Sequence, residues 1–265
     1  MGKADRGARL PGIDTSIASA ARVYDYLLGG SENFPVDRAM AAELLRLVPQ
    51  TAEAVRRNRA FLRRAVGYLA GEVGVGQFLD IGSGLPTMDN VHQVARRSLS
   101  SARVVYVDND PMVVRHTEAL LAGTTGVTVV HEDVRNPAGI LGRAAGVLDL
   151  SRPIALVLAA IMHFIPGADH PQAIVHRYID ALAPGSYLVL SHAAMQAADP
   201  DTAEAAREYA SSSAGSFIIR TPEEVAAFFD GLDLLEPGLV DAGRWRTTQA
   251  EPIEPGFLAG VGRKR

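Results

Sequence analysis

Short apolar segments alternate with helical or polar segments through the middle of the chain. Five of them are rich in β-branched residues and have the length of strands: QFLDI (77–81), RVVYV (103–107), VTVV (127–130), IALVLA (154–159) and YLVLS (187–191). Such continuous apolar runs are typical of parallel strands that are buried on both faces. Because strands that alternate with helices form right-handed βαβ units, the pattern predicts an α/β fold with a doubly wound, mostly parallel sheet.

Helical spacing of apolar residues characterises the segment before the first strand. It predicts three helices, over residues 15–28, 36–47 and 51–71. Thr15 or Ser16 is expected to cap the first helix, and Gly29 to end it, since glycine adopts the left-handed conformation without penalty. We therefore expect a flexible tail, an N-terminal helical segment and an α/β domain, over residues 1–14, 15–71 and 72–265.

Beyond the fifth predicted strand the sequence patterns that predict secondary structure become weaker. Residues 194–216 are rich in alanine and serine and are predicted to be mobile or helical, with their ordering on substrate binding left open. TPEEVAAFFDG (221–231) predicts a capped helix. Residues 232–240 and 256–263 predict two last strands at one edge of the sheet.

Composition narrows the class of protein. A length of 265 residues fits one α/β domain with additions, and a hydrophobic fraction of 48% supplies a sizeable core. The absence of cysteine excludes disulfides, thiolate nucleophiles and cysteine-ligated zinc, and it favours a cytoplasmic protein. A net charge of −4 argues against a nucleic-acid partner, and no apolar run reaches the ~20 residues of a membrane helix. The basic first residues lack the apolar stretch of a secretory signal, and no feature indicates an oligomeric state.

The stretch FLDIGSGLPT (78–87) is the most informative part of the chain. A predicted strand contains Asp80 and is followed by a turn with two glycines around a serine: Gly82, Ser83 and Gly84. The glycines let the backbone turn sharply and approach a ligand closely. The third glycine of the dinucleotide-binding pattern is replaced by Thr87, which disfavours a pyrophosphate at the following helix N-terminus.

Acidic residues accompany the ends of three successive predicted strands. After Asp80, the second strand leads to Asp108 in YVDND and the third to Asp133 in HEDVRN. Ligands bind at the carboxyl ends of such strands, and an acid in the position of Asp108 can bind both ribose hydroxyls. Asp133 can accept from an adenine amino group and Asp80 suits a cationic group, with Asn109 and Val134 expected beside them. A ligand with these parts and no phosphate is S-adenosylmethionine; alternatively, each aspartate only caps the following helix.

Five stretches resemble one bacterial family of S-adenosylmethionine methyltransferases, long known only as a domain of unknown function: ARVYDYLLGGSENFPVDR, RRNRAFLRRAV, QFLDIGSGLPT, VVYVDNDPMVV and YLVLSHA. The resemblance covers roughly residues 16–260. It implies the class I methyltransferase fold, a Rossmann-like seven-stranded sheet whose last strand is antiparallel, and S-adenosylmethionine as cofactor.

The resemblance supplies no substrate, and we expect methyl transfer to a small-molecule acceptor. Two other functions stay open. One is a non-catalytic module that binds S-adenosylmethionine. The other is a nicotinamide-dependent oxidoreductase, against which the missing third glycine and the presence of Asp80 count.

His163 is the obvious acid–base residue of LAAIMHFIP (158–166), the loop after the fourth predicted strand. In the class I fold this loop lies beneath the reacting atoms. We therefore expect Ala160 at the cofactor and His163 in position to take a proton from an attacking oxygen or nitrogen. Alternatively, His163 only holds the loop by hydrogen bonds. We predict no metal site, because His163, His170 and His176 lack a metal-ligand spacing.

Asn58 interrupts the apolar stripe of the third predicted helix. Because a buried amide needs hydrogen-bond partners, Asn58 either binds a neighbouring loop or lines the cofactor pocket. The arginines of this helix are expected to form a solvated basic face: Arg56, Arg57, Arg59, Arg63 and Arg64.

The stretch ARVYDYLLGGSENFPVDR (21–38) places aromatic and polar residues around a doubled glycine. In class I methyltransferases, helices before the first strand commonly fold over the strand ends. We predict that residues 16–38 form a lid that excludes water from the crevice. The residues expected nearest the cofactor's amino-acid end and the substrate are Tyr24, Gly29, Gly30 and Asn33. The alternative is a helix pair packed on the sheet, with the glycines as an ordinary turn.

Overall fold

The computed structural model describes residues 14–86, 89–194, 200–212, 216–247 and 256–265. At its centre lies one sheet, built from β1 Gln77–Ile81, β2 Arg103–Asp108, β3 Val127–His131, β4 Ala155–Ala159, β5 Tyr187–Ala194, β6 Leu232–Leu234, β7 Val240–Asp241 and β8 Gly256–Lys264. The strand order is β3-β2-β1-β4-β5-β8-β6, with β7 paired to β8.

The five inner strands lie where the apolar segments predicted them. β1 to β5 pair with one another in parallel, whereas β8 runs antiparallel to β5 and to both β6 and β7. The mostly parallel α/β sheet is therefore confirmed, and the antiparallel strand implied by the resemblance is present. Seven strands lie side by side, and the two-residue β7 is an eighth strand within the described part of the chain.

Helices cover both faces of this sheet. They are α1 Ala20–Leu27, α2 Pro35–Leu47, α3 Thr51–Tyr68, α4 Val91–Arg96, α5 Pro111–Leu121, α6 Pro137–Ala144, α7 Pro171–Ala181, α8 Pro200–Ser212 and α9 Pro222–Ala226. Successive residues of β1 enter opposite cores: Phe78 lies in the cluster of Phe61 and Trp245, and Leu79 in that of Tyr178. Because side chains alternate along a strand, this pattern buries the sheet on both sides.

The first helix is shorter than predicted, because it begins at Ala20 instead of residue 15. Ser19 precedes it, but the Ser19 hydroxyl donates to Asp110 Oδ2 at 2.6 Å and makes no cap bond to the helix. The Arg22 guanidinium donates to the carbonyl oxygens of Ile17 and Asp14. Those carbonyls are thus committed to a side chain, and the predicted helical turn before Ala20 does not form.

Helices α1, α2 and α8 pack together above the carboxyl ends of the inner strands. Val23, Leu44 and Tyr209 belong to one apolar cluster, which also contains Val55 of α3. This cluster joins the N-terminal helical segment to α8, a helix within the alanine-rich stretch. The arrangement encloses a space between these helices and the sheet.

Two predicted segments fall partly outside the described residues. Of the predicted tail only Asp14 is described, and within the stretch 194–216 residues 195–199 and 213–215 are not. Among the described residues, no helix is both long and apolar enough to cross a membrane.

Candidate active site

A cavity of about 850 Å³ lies at the carboxyl ends of β1 to β4. Its walls come from the loops after these strands and from α1, α3 and α8. This is the crevice where open α/β sheets bind ligands. The lining includes most of the residues predicted for the site: Tyr24, Asn58, Asp80, Gly82, Ser83, Gly84, Asp108, Asn109, Asp133, Val134, Ala160 and His163.

The turn after β1 brings backbone close to the cavity. Gly82 has a φ of 71°, which disfavours any other residue, and a Cβ atom at this position would meet Ile161 Cδ1 at 2.2 Å, so the Ile161 side chain would have to move. Gly84 has a φ of 66° and donates its amide to Asp108 Oδ2 at 2.9 Å. Between them, the Ser83 hydroxyl oxygen is buried and has no hydrogen-bond partner among the described residues. The turn therefore leaves one polar atom for a ligand.

Asp80 and Asp108 are buried carboxyl groups on neighbouring strands. Burial raises the pKa of Asp80 to about 7, with nearby Asp108 adding to the rise and Arg59 opposing it. Burial also raises the pKa of Asp108 to about 6, although the amides of Asp110 and Gly84 donate to its two oxygens at 2.9 Å. A ligand with positive charge or hydroxyl donors would compensate the burial of these two carboxylates.

Asp133 differs from the other two acids because it already has a cationic partner. Arg135 donates its amide and Nε to Asp133 Oδ1 at 2.8 and 2.9 Å, and its Nη2 to Oδ2 at 2.7 Å. These hydrogen bonds lower the pKa of Asp133. Asp133 lines the cavity, but most of its acceptor capacity is in use, so an adenine amino group would compete with Arg135.

An amide–phenol pair connects α3 to α1 at the cavity. Asn58 Nδ2 donates to the Tyr24 hydroxyl at 3.0 Å, and that hydroxyl donates to the Val55 carbonyl oxygen at 3.4 Å. Asn58 Oδ1 is buried and unpaired among the described residues. An unpaired buried acceptor beside a cavity favours the pocket-lining interpretation of Asn58 over a contact with a loop.

Two arginines of α3 do not belong to a solvated face. Arg59 lines the cavity. Arg64 donates to the carbonyl oxygens of Trp245 and Ala242 at 2.7 and 2.6 Å. The expectation of a uniformly solvated basic face is wrong for these two residues, because each reaches a neighbouring part of the fold.

The loop after β4 is held to β5 at its first residue. Ala160 has a φ of 57°, which a non-glycine residue adopts only under constraint, and its amide donates to Ser191 Oγ at 3.0 Å and to the Ser191 carbonyl at 3.1 Å. This bend turns the chain across the cavity floor and places His163 in the lining.

His163 is buried, and its ring has a defined hydrogen-bond partner. The Ala193 amide donates to His163 Nδ1 at 3.3 Å. Burial holds the pKa of His163 well below its usual value, and the neighbouring His192 and Arg220 contribute. A neutral imidazole that accepts at Nδ1 carries its proton on Nε2, which leaves no nitrogen to act as a general base. The geometry thus opposes the predicted acid–base role.

Arg220 and His192 are part of this region and had no signal in the sequence. Arg220 donates to the carbonyl oxygens of Met162 and Ile165 at 2.9 and 2.8 Å, and its Nη1 meets His192 Nε2 at 2.7 Å. The two residues lie 28 positions apart and are brought together only by the pairing of β5 with the segment before α9. They fix the loop that carries His163.

The doubled glycine and Asn33 do not line the cavity, in contrast to the expectation. They surround the buried carboxylate of Asp25, which accepts from the Glu32 amide at 2.9 Å and from Asn33 Nδ2 at 3.0 Å. Gly29 has a φ of 84°, and the Gly30 amide donates to the Asp25 carbonyl oxygen at 2.8 Å. The physical reason for the motif is therefore a tight turn around a buried acid.

Comparison with known proteins decides the family. A sequence model of the S-adenosyl methyltransferase family matches residues 7–265. The chain belongs to this family. It is an S-adenosylmethionine-dependent methyltransferase, and the predicted cofactor is confirmed. The alternatives of a nicotinamide-dependent oxidoreductase and a non-catalytic module are set aside.

Solved structures agree with this assignment. The chain is 42% identical to a putative methyltransferase from Thermobifida fusca YX, which covers 96% of this chain and is itself 98% covered, with a TM-score of 0.88. It is 39% identical to a DUF574 family protein from Streptomyces avermitilis MA-4680. That match covers 95% of this chain and 99% of the other, with a TM-score of 0.90. Human N-acetylserotonin methyltransferase, solved in complex with S-adenosylmethionine, shares the fold at 12% identity. That match covers 91% of this chain and 62% of the other, with a TM-score of 0.51. No curated protein is significantly similar to the chain.

Proposed function

We propose that the protein transfers the methyl group of S-adenosylmethionine to a small molecule that binds inside the cavity. The observation that carries this proposal is the shape of the cavity, which extends from the acidic strand ends to an apolar end between α1, α3 and α8. The acidic end suits a cationic, hydroxyl-bearing cofactor, and the apolar end leaves room for a small acceptor beside it.

The residues at the acidic end fit the cofactor. Asp108 has free lone pairs for two ribose hydroxyls beyond the amides that it already accepts. Asp80, Ser83 and Asn58 offer a carboxylate, an unpaired hydroxyl and an unpaired amide oxygen to the charged amino-acid end. The cofactor supplies a methyl group bonded to a positively charged sulfur. The chain supplies binding, orientation and exclusion of water.

The N-terminal helical segment acts in this proposal as a lid. Two contacts support it: Ser19 Oγ donates to Asp110 Oδ2 at 2.6 Å beside the ribose position, and Tyr24 accepts from Asn58 at 3.0 Å. The first contact links the residue before α1 to the α/β domain and the second links α1 to α3, each by a single hydrogen bond that water can replace. The expected cytoplasmic location stays a prediction.

Calorimetry on site variants tests the assignment of the acidic end. We expect Asp108→Ala to lower the affinity for S-adenosylmethionine by at least about 100-fold, because two charge-assisted hydrogen bonds are lost. Asp133→Ala should lower it by less than about tenfold, since Arg135 already occupies this carboxylate. Asp180→Asn on the exposed side of α7 is the matched control and should bind as the wild type does.

Three results would count against the proposal. If Asp108→Ala binds S-adenosylmethionine within about twofold of the wild type, the ribose assignment fails. If NAD binds as tightly as S-adenosylhomocysteine does, the crevice is not specific for this cofactor. If a labelled methyl donor modifies proteins or RNA in a cell extract but no small metabolite, the acceptor class is wrong.

A further inference from the structure

The apolar end of the cavity is lined by aromatic rings around His163. Phe164, Tyr209, Phe217 and Phe257 line it, and we call these four side chains the aromatic chamber. The His163 ring centroid lies 4.4 Å from that of Phe164, 4.8 Å from Phe217 and 5.9 Å from Phe257, and Phe217 lies 5.1 Å from Tyr209. Aromatic side chains favour a planar, apolar ligand through stacked or edge-to-face contacts.

A chain of hydrogen bonds sets the proton position on His163. Arg220 Nη1 donates to His192 Nε2 at 2.7 Å, so the proton of His192 lies on Nδ1, where it donates to the Ala193 carbonyl oxygen at 2.6 Å. The Ala193 amide in turn donates to His163 Nδ1 at 3.3 Å. Because neutral imidazole has one N–H group, His163 is left with Nε2–H, a donor, as the group that it can offer to a ligand.

The charge behind the aromatic chamber is positive. Arg220 is 4% exposed and forms no ion pair with a described carboxylate; the one acid that attracts it noticeably is the exposed Glu224 of α9. The neighbouring His192 is neutral, because burial lowers its pKa to about 3. A buried cation that has no ion-pair partner opposes positive charge on a nearby acceptor and stabilises negative charge.

We infer that the methyl acceptor is an aromatic compound with an acidic hydroxyl group, bound in the aromatic chamber as its phenolate with His163 Nε2–H donating to the phenolate oxygen. This inference rests on the proposed methyl transfer. The hydroxyl proton passes to water on binding, since His163 has no free nitrogen to take it. The phenolate oxygen then bonds to the methyl carbon as the carbon–sulfur bond breaks, its electron pair stays on sulfur, and a neutral aryl methyl ether results.

Two other acceptor groups fit the chamber less well. An aryl amine would present N–H donors to the His163 donor, and its methylation would create positive charge near Arg220. A carboxylate is normally held by the paired donors of a guanidinium. Here those donors are committed, because Arg220 bonds to Met162, Ile165 and His192.

A fluorescence titration of the full chain saturated with S-adenosylhomocysteine tests the inference without turnover. The probes are 7-hydroxycoumarin, 7-methoxycoumarin, 7-aminocoumarin and coumarin-7-carboxylate, with 1-naphthol and 1-naphthylamine as a second matched pair. We expect each hydroxyl compound to bind at least about tenfold more tightly than its partners. Bound 7-hydroxycoumarin should show the phenolate excitation band at a pH where the free compound is neutral.

Variants of His163 separate donation from packing. His163→Gln keeps an N–H donor near the position of Nε2 and should retain the phenolate band, with affinity within about threefold of the wild type. His163→Ala should lose the band and bind 7-hydroxycoumarin at least about tenfold more weakly. His163→Ala should melt at a lower temperature, because it removes a buried ring and the acceptor of the Ala193 amide. Both variants should still unfold cooperatively and bind S-adenosylhomocysteine within about twofold of the wild type, which excludes misfolding as the cause.

The outcomes distinguish this inference from the proposed function. If the protein binds S-adenosylhomocysteine but prefers the amine or the carboxylate, binds none of the probes, or binds 7-hydroxycoumarin in its neutral form, the phenolate inference is overturned and methyl transfer stands. An unchanged band in His163→Ala also overturns it. If S-adenosylhomocysteine itself does not bind, the proposed function fails first.

Discussion

Asp80 and Asp108 show how different surroundings act on the pKa values of two identical side chains. Asp108 accepts two backbone amides, whereas the pKa of Asp80 is set mainly by burial, with charges on Arg59 and Asp108 as smaller effects. Asp80 is therefore ionised at pH 8 in a place where ionisation is unfavourable without a ligand. Functional sites commonly hold groups that reduce the stability of the free protein.

We expect Asp80→Asn to stabilise the free protein in a pH-dependent way. The folded-state pKa of about 7 lies above the ordinary 3.8, so the neutral acid favours folding below pH 3.8 and this contribution is lost as pH rises to 7. The benefit of Asn to the free energy of unfolding should grow over that window and stay constant above it, reaching roughly 4 kcal/mol because a change of one in pKa corresponds to about 1.4 kcal/mol. Urea unfolding at pH 4.5, 6 and 8 measures it.

Asp108→Asn is the informative comparison for this effect. Its carboxylate accepts the amides of Gly84 and Asp110, and an Asn side chain would replace one acceptor oxygen by a donor. We expect Asp108→Asn to gain less stability than Asp80→Asn does, or to be less stable than the wild type. A loss of stability in Asp80→Asn that is equal at all three pH values would show that Asp80 is a structural acceptor.

At the residue scale, the sequence predicted those site residues that a local pattern marks. Asp80 and Asp108 lie near the carboxyl ends of the neighbouring strands β1 and β2, and Gly82 and Gly84 follow β1, so the fold places all four at the same edge of the sheet. The contact of Arg220 with His192 could not be predicted, because it joins residues that are 28 positions apart, have no periodic relation and meet only through a tertiary contact.

The structure changes the interpretation of the turn between α1 and α2 more than that of any other described element. The buried Asp37 accepts from Arg22 Nε at 2.8 Å and from the Phe34 amide at 2.8 Å, and Asp25 accepts from the turn itself. The polar residues of the motif thus hold the two helices together. The sequence showed that these polar residues are unusual for a surface helix. It could not show their hydrogen-bond partners, because some of these lie on another element and are reached only through a tertiary contact.

We predict that Gly30→Ala loosens the N-terminal helical segment. A Cβ atom at Gly30 would lie 2.0 Å from Asp25 Oδ1, and Asp25 cannot move away without breaking its bonds to Glu32 and Asn33. Such overpacking typically costs about 1–3 kcal/mol. Hydrogen exchange should accelerate in residues 20–47 and stay unchanged in β1 to β5.

Gly142→Ala in α6 is the matched control. No atom lies within 4 Å of the added methyl group, so this variant should be neutral or slightly stabilising. If the segment is a lid, Gly30→Ala should also weaken S-adenosylmethionine binding, and the cofactor should slow exchange over residues 16–38 in the wild type. Equal exchange with and without cofactor would contradict the lid.

At the scale of the whole molecule, the fold followed from the sequence because each inner strand is a local apolar signal and the connection rule is general. The edge of the sheet was harder: β6 and β7 are three and two residues long and take their register from β8. The cavity volume and its two chemically different ends depend on how α8 packs on α1 and α2. No single segment carries that information.

The acidic end and the cationic cofactor together predict that binding is coupled to proton release. In the free protein the pKa values of Asp80 and Asp108 are about 7 and about 6, and a cationic ligand favours the ionised forms. His163, with its pKa held low, and Asp133, paired with Arg135, keep their charges over the same range.

We therefore expect the affinity for S-adenosylmethionine to rise with pH up to about 7 and to be constant above it, with a gain of about tenfold between pH 5.5 and 8. Calorimetry at pH 6.5 in phosphate and in an amine buffer, whose ionisation enthalpies differ, measures the protons released per cofactor bound. Asp80→Asn should remove most of this release, whereas the control Asp180→Asn should keep it. Proton uptake on binding, or release that persists in Asp80→Asn, would mean that the raised pKa of Asp80 is not coupled to the cofactor.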